Sequence, residues 1–488
     1  MYSIEHLFSL VKSMTKSEKR HFRLTSDLQQ GEKSYMALYD ILEAANAFDD
    51  DLEATLKKRF RGSSIEPARK HLYQVLIKSL RQFNSHQDVE LKLMTWLQDS
   101  RILYYKGLLS LSLEQLIKVK RVALAHEKYM YFILAARQEL QYLVRSQFGG
   151  VSEDELIEKQ EALKTFLAQE SSSIRHAMLY EILLFRYWKN GIARSQEDIA
   201  MLNDLLLEEY QVLNTQSIQS FHSQQLHLHF QSIYFTMISN PEGGLTVFRE
   251  LDELFRRHPH LWEHSPLYYV HLLGGILEDL RMMERYDEMP YYLDRLRSIS
   301  QDSTGLSLIV KYLIFEYELQ ALVDQRKDKE ATALIKRYQP DLDREISQLN
   351  LQTRLQLHFV LTRAWFIARD YSKALKTINA ILNQPSGYIY RPLHVLCRLM
   401  NLQINAMLEN TEYLVHAIRS VERKLKAEPK LFEVENLVLT FLKRWLKLKP
   451  SPEVPQKIKE LENNPFERRV IRELNLPEWI GLMKVRGA

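Results

Sequence analysis

"RDYSKALKTINAIL", residues 369 to 382, reads as a short turn followed by a helix whose apolar residues Ala374, Leu375, Ile378 and Ile381 share one face. The pattern recurs. With Ala374 as anchor, equivalent positions are Val247, Met289, Ala331 and Ala417, spaced by 42, 42, 43 and 43 residues. Four residues after each anchor stand Leu251, Leu293, Ile335, Ile378 and Val421, one helical turn on along the same face. Seven after come Leu254, Leu296, Tyr338 and Ile381, with Lys424 as the exception, and nine before come Ile238, Leu280, Leu322, Trp365 and Leu408. A first helix therefore precedes each of these second helices. The segments between them, "NPEGG", "ERYDE", "QRKDK", "ARDYS" and "ENTEY", carry turn residues, and Pro259, Pro340, Pro385 and Pro429 read as stops after second helices.

"YSKALKTINAIL" and "YDEMPYYLDRL" resemble the second helix of a tetratricopeptide repeat: a Tyr, a small or apolar anchor three residues on, then the apolar pair at +4 and +7. The resemblance covers residues 219 to 428 and departs from the family in two ways. The period exceeds the usual ~34 residues, and the Gly of the family's first helix is replaced by Phe235, Leu277, Leu319, Thr362 and Asn405. A HEAT-like array suits the period as well. The resemblance implies an all-α fold, a right-handed superhelical α-solenoid of antiparallel helix pairs that exposes a long concave surface.

Composition agrees with long helices and few turns. The 488 residues are 45% hydrophobic and 10% aromatic, yet contain only 14 Gly and 14 Pro. The single Cys397 forms neither an internal disulfide nor a zinc cluster, which fits a reducing, cytoplasmic setting. "MYSIEHLFSLVKSM" has Glu5 and His6 inside its apolar stretch and does not read as an export signal. The longest strongly apolar run, "YMYFILAA" at 129 to 136, falls short of the ~20 residues a membrane span needs, so no membrane association is expected.

First helices are expected near 88, 128, 173, 219, 266, 306, 352 and 392. "QFGGVSEDELIEKQ" at 147 to 160 marks a joint, with Gly149 and Gly150 ending one helix and Ser152 with Glu155 forming a capping box for the next. The expected organisation is a small N-terminal helical domain over 1 to 87, divergent hairpins over 88 to 218, the repeat-like array over 219 to 428, and a C-terminal helical cap over 429 to 488. In that cap, "LPEWIGLMKVRGA" reads as a helix started by Pro477, covering the last hairpin with Trp479, Ile480, Leu482 and Met483.

The +4 net charge is uneven, with basic ends and a mildly acidic middle. In "DDDLEATLKKRFRG", Asp49 to Asp51 suit a helix start and Lys57, Lys58, Arg59 and Arg61 its end. The following helix has an apolar stripe from Ile65 to Phe83 and carries Arg69, Lys70, Lys78 and Arg81 away from it. Such a pair serves either as a cap on the array or as a helix-turn-helix gripping nucleic acid with those eight basic residues.

No phosphate-binding loop, GxGxxG, GxSxG or HExxH is present, and no cofactor or small-molecule substrate is indicated. His222 and His229 share a helix face but His227 points away, so no three-ligand metal set is offered locally. The expectation is a non-catalytic scaffold that binds a protein or acidic peptide along its concave surface. The alternative is a nucleic-acid-linked regulator using the N-terminal helices. Transferring the family's groove positions through the anchors selects His229, Ser232, Thr236, His271, Glu278, Arg281, Gln320, Gln356, Phe359 and Arg363 as partner-binding residues, with Arg281 and Arg363 holding partner carboxylates.

Overall fold

A computed structural model describes residues 3–27, 34–60, 65–85, 88–215, 220–263, 266–299, 304–384, 391–426 and 433–483. Among these residues all regular structure is helical. The chain divides into two compact units, one of residues 1–171, 260–265 and 300–307, the other of 172–259, 266–299 and 308–488. The first division falls inside a single helix.

In the first unit, α1 (Ile4–Ser13), α2 (Lys16–Asp27), α3 (Ser34–Ala44), α4 (Asp50–Arg59) and α5 (Ile65–Asn84) surround Leu7, Val11, Phe22, Tyr39, Leu42, Leu72 and Leu76. Asp49 caps α4 by accepting from the Leu52 N–H at 3.0 Å. Helices α6 (Val89–Tyr105), α7 (Leu109–Ala125) and α8 (Tyr129–Arg145) fold back on one another around Leu93, Leu116, Val119 and Phe132. The expected capping box is formed, Ser152 and Glu155 exchanging bonds of 3.1 and 3.2 Å at the start of α9 (Glu153–Asn190).

No helix begins near 173. α9 runs through that position for 38 residues. Ser172 and Ser173 are buried, and the Ser173 hydroxyl lies 3.2 Å from that of Ser223 on a neighbouring helix. The Ser173 hydroxyl makes a tertiary bond and caps nothing.

After α10 (Gln196–Ala200) and α11 (Asn203–Thr215), the second unit contains helix pairs: α12 (Phe221–Met237) with α13 (Pro241–Arg257), α14 (Leu267–Met282) with α15 (Met289–Ser298), α16 (Thr304–Asp324) with α17 (Asp328–Glu345), α18 (Leu351–Ile367) with α19 (Tyr371–Leu382), and α20 (Arg391–Met407) with α21 (Thr411–Lys426). Leu251, Leu293, Ile335, Ile378 and Val421 are all buried, so the +4 positions form the seam. Pro340 does not stop a helix. It lies inside α17, which continues past it and buries Leu342. Pro385 and Pro429 lie outside the described residues.

Each pair turns in the same way. At the end of α18 the Arg369 N–H donates to Phe366 O at 3.1 Å and the Asp370 N–H to Trp365 O at 2.9 Å, with Arg369 at φ 61°. This double closure needs a left-handed residue, for which Gly is favoured. Here Ser239, Glu284, Arg326, Arg369 and Glu409 take the position, all at positive φ. The close approach lost to Phe235 in α12 is recovered on the second helix: a Cβ on Gly243 would stand 2.6 Å from the Phe235 ring.

The chain ends in α22 (Glu433–Leu446), α23 (Val454–Glu462), α24 (Pro465–Glu473) and α25 (Leu476–Met483). Trp479 is fully buried against Phe441 at 5.4 Å between ring centres. Val454, Ile458, Val470, Ile471 and Leu474 join the same core, although the sequence from 450 to 475 reads as poor in apolar anchors.

Candidate functional site

α14, α16 and α18 are first helices of successive pairs, and each contributes one charged residue to a common point: Arg281, Asp324 and Arg363. Asp324 bridges the two guanidiniums, at 3.0 Å from Arg281 and 2.7 Å from Arg363. The sequence expectation gave both arginines to a partner's carboxylate. In the structure the carboxylate comes from the chain itself. Glu473, at the end of α24, meets Arg281 at 2.5 Å and Arg363 at 3.1 Å. Its backbone carbonyl also accepts from Arg363 Nε at 3.1 Å.

More of α24 is held on the same residues. Arg472 reaches Asp324 at 3.2 Å and the Met282 carbonyl at 3.2 Å, Arg469 reaches Glu278 at 3.1 Å, and Gln403 Nε2 donates to the Leu474 carbonyl at 3.0 Å. The C-terminal helices thus extend well beyond the last hairpin, which was their expected place. α24 packs across first helices as far back as α14. A buried ion cluster of this kind is tolerated because each charge meets several opposite or hydrogen-bonding partners.

The electrostatics follow from burial and proximity. Burial pushes the Glu473 carboxyl up, but Arg281, Arg363 and Arg469 outweigh it and hold the group well below the carboxylate range. Burial likewise raises Asp324, and Arg363, Arg281 and Arg472 bring it below its ordinary value. Two carboxyls behave in the opposite way. Asp279 is pushed up to about 8 by burial and then by Glu278, with its Oδ2 accepting no hydrogen bond. Glu316 rises to about 7, again by burial first and Glu278 second.

Beside the cluster is a cavity of about 1180 Å³ whose walls include His229, Thr236, His271, Glu278 and Arg363 from the expected groove set, with Arg326, Arg468 and Arg472 among the basic residues. A smaller one of about 90 Å³ is lined by Arg281, Gln320, Gln356 and Phe359, and shares Glu278, Arg469 and Glu473 with the first. Gln320 donates to Glu316 at 2.9 Å, and Phe359 is buried. Ser232 lines neither cavity; its hydroxyl is buried and bonds the His229 carbonyl at 2.8 Å. His229 Nε2 lies 3.1 Å from the Tyr180 hydroxyl, and burial, then His271, lowers the imidazole to about 4. It is a neutral packing residue. His227 instead meets Glu209 at 2.7 Å. Among the described residues no group of three His, Cys, Asp or Glu side chains is placed to hold a metal ion. Cys397 is fully buried, which pushes its thiol up.

The sequence offered Arg281 and Arg363 but neither Asp324, Glu473, Arg469 nor Arg472. The available signal was in "PFERRVIRELN", where Val470, Ile471 and Leu474 make an apolar face flanked by alternating charges.

The basic residues of the N-terminal unit are arranged differently. Lys57, Lys58 and Arg59 are exposed at the end of α4, with Lys57 on Glu53 at 3.3 Å. Arg69 is mostly buried against Glu66 at 2.6 Å, while Lys70, Lys78 and Arg81 are exposed on α5. Arg61 lies outside the described residues. α4 packs chiefly on α3, and α5 on α1, α2 and α3. Among the described residues, no helix is long and apolar enough to cross a membrane. No protein-family model, curated protein or solved structure matches this chain.

Proposed function

We propose that this chain is a non-catalytic, cytoplasmic scaffold: a tetratricopeptide-like superhelical array whose first helices hold a protein or peptide partner of acidic character. The observation that carries the reading is the seating of α24. A helical segment is gripped by first-helix side chains, Arg281 and Arg363 on Glu473 and Glu278 and Asp324 on Arg469 and Arg472; the two arginines are the part of this grip that suits an acidic partner. The cavity beside α24 continues this surface, with exposed His271 and Arg468 in its wall.

The test places a photo-crosslinking residue at position 271 of the full chain in its native cell and a second at exposed Lys329 as control. A protein adduct from 271 that is absent from 329 and lost in an R468E background is expected. Equal adducts from both positions, or none from 271, overturn the proposal.

A further inference from the structure

In the first unit, α6 and α8 line a cleft of about 720 Å³ that the start of α9 borders. Its wall contains Arg101 from α6 and Arg137 and Arg145 from α8, and no Asp or Glu. All three arginines are exposed, and among the described residues none forms an ion pair within the chain. In the cluster around α24, by contrast, Arg281, Arg363, Arg469 and Arg472 each meet a carboxylate. The acidic side chains of the same helices are directed elsewhere. Glu139, the only acidic residue of α8, is buried between Lys120 of α7 and Lys159 of α9. Glu90 of α6 meets Lys128 at 2.5 Å, and Asp99, two residues before Arg101, falls on the far side of α6. Glu153 to Glu155 sit in the first turn of α9, where they suit the helix dipole, and none of them lines the cleft.

Aromatic rings are set among these charges. Tyr104 of α6 and Tyr142 of α8 stack with ring centres 3.8 Å apart and planes 1° from parallel, joining the two walls. Gln138 holds the Tyr142 hydroxyl at 2.6 Å, and Arg145 bonds that of Tyr104 at 3.4 Å. Tyr105 is 71% exposed, with the Arg101 guanidinium 5.9 Å from its ring centre. Exposed Gln141 and Gln160 add uncharged donors and acceptors to the wall.

The spread of charge selects the ligand. Arg137 and Arg145 stand eight residues apart on one helix, a rise of about 12 Å. One phosphate is poorly matched to that spread, whereas successive phosphates of a strand match it. An acidic peptide would answer the arginines and leave the rings unused. Unpaired bases use both, stacking on tyrosine faces and guanidinium planes, and in a duplex those base faces are already covered. We infer that the cleft between α6 and α8 binds single-stranded nucleic acid, with phosphates on Arg101, Arg137 and Arg145 and a base on Tyr105. The site is independent of the protein partner proposed above, since none of its residues lines the cavities of the second unit. It is also distinct from the basic residues of α4 and α5, none of which lines it.

Fluorescence anisotropy with the full chain tests it. The probes are labelled oligouridylate and oligothymidylate of about 12 nucleotides, the latter's duplex with oligoadenylate, and polyglutamate of equal charge. At least one single strand is expected to bind about tenfold tighter than duplex or polyglutamate, the two strands together showing whether ribose or deoxyribose is preferred. The logarithm of affinity is expected to fall with that of salt at a slope of about −2, from three phosphates at ~0.7 each. R101A and R137A are each expected to reduce that slope by ~0.7, and R121A, at an exposed arginine of α7 outside the cleft, to leave it unchanged. Y105A is expected to weaken binding about tenfold at an unchanged slope, and Y105F to bind as wild type does. These side chains are exposed, so melting temperatures are expected to stay at the wild-type value. Absence of binding by both single strands at about 50 mM salt overturns the inference. So does equal affinity for duplex or polyglutamate, an R121A loss matching that of R137A, or undiminished affinity in Y105A.

Discussion

Arg281 donates to Glu473 at 2.5 Å across 192 residues of sequence, with both side chains almost fully buried. Each also touches the other arginine or carboxylate of the cluster, so neither charge has an alternative partner in water. E473Q removes one negative charge, leaving Arg363 on Asp324 and Arg281 on Asp324 and Glu278. A loss of about 3 to 5 kcal/mol is expected in chemical denaturation. Because the folded carboxyl is held below its unfolded value, its contribution is complete above pH ~4.3 and is lost as pH falls toward the depressed folded value. The wild-type protein is therefore expected to lose stability below that pH more steeply than E473Q.

Asp279 has the reverse sign. Its folded value, about 8, lies above the unfolded ~3.9, so between those limits the unfolded chain is ionised and the folded one neutral. Stability from this group is greatest below pH ~4 and falls by about 1.4 kcal/mol per pH unit at most as pH rises toward 8. D279N removes that slope. It is expected to melt higher than wild type at pH 7.5 and to equal or trail it at pH 4.5, as read by thermal denaturation at both values.

The seam positions predict conventional packing costs. Ile378 is fully buried and Leu293 nearly so. I378A and L293A are each expected to cost about 2 to 5 kcal/mol, by cavity creation and lost burial. Urea titration checks this, and a loss under about 0.5 kcal/mol at Ile378 would place the residue outside the seam.

Arg369 is exposed at φ 61°, a conformation costing a side-chain-bearing residue about 1 kcal/mol relative to Gly. R369G is therefore expected to raise stability by up to that amount, less the extra freedom it gives the unfolded chain. Differential scanning calorimetry measures the shift. R369P is expected to be strongly destabilising, since Pro fixes φ near −65° and removes the N–H that closes the turn.

What the sequence made legible was set by what repeats. The anchors from Val247 to Ala417 recur because every second helix solves the same packing problem, and the helix starts at 221, 267, 351 and 391 lie within one or two residues of the periodic reading. Features outside the repeat were hidden for separate reasons. No helix starts at the expected position near 173, where buried Ser173 makes a tertiary bond inside α9; a hydroxyl serves equally as cap or tertiary bond. Arg369 and Glu284 in left-handed turns give no compositional sign, since the usual marker is Gly. Glu473 and Arg472 look like a solvated charged face; only the fold shows that Asp324 and Arg281, encoded far upstream, wait opposite them.

That separation orders events during synthesis. A ribosome makes Glu278, Arg281, Asp324 and Arg363 long before Glu473, so for most of translation two guanidiniums are matched by two carboxylates. That balanced set lacks the Glu473 carboxylate and the Arg469 and Arg472 guanidiniums that complete the cluster until α24 has been made. Chains broken off before residue 465 lack the helix seated on these four charges, which gives the cell a physical basis for telling an interrupted product from a finished one.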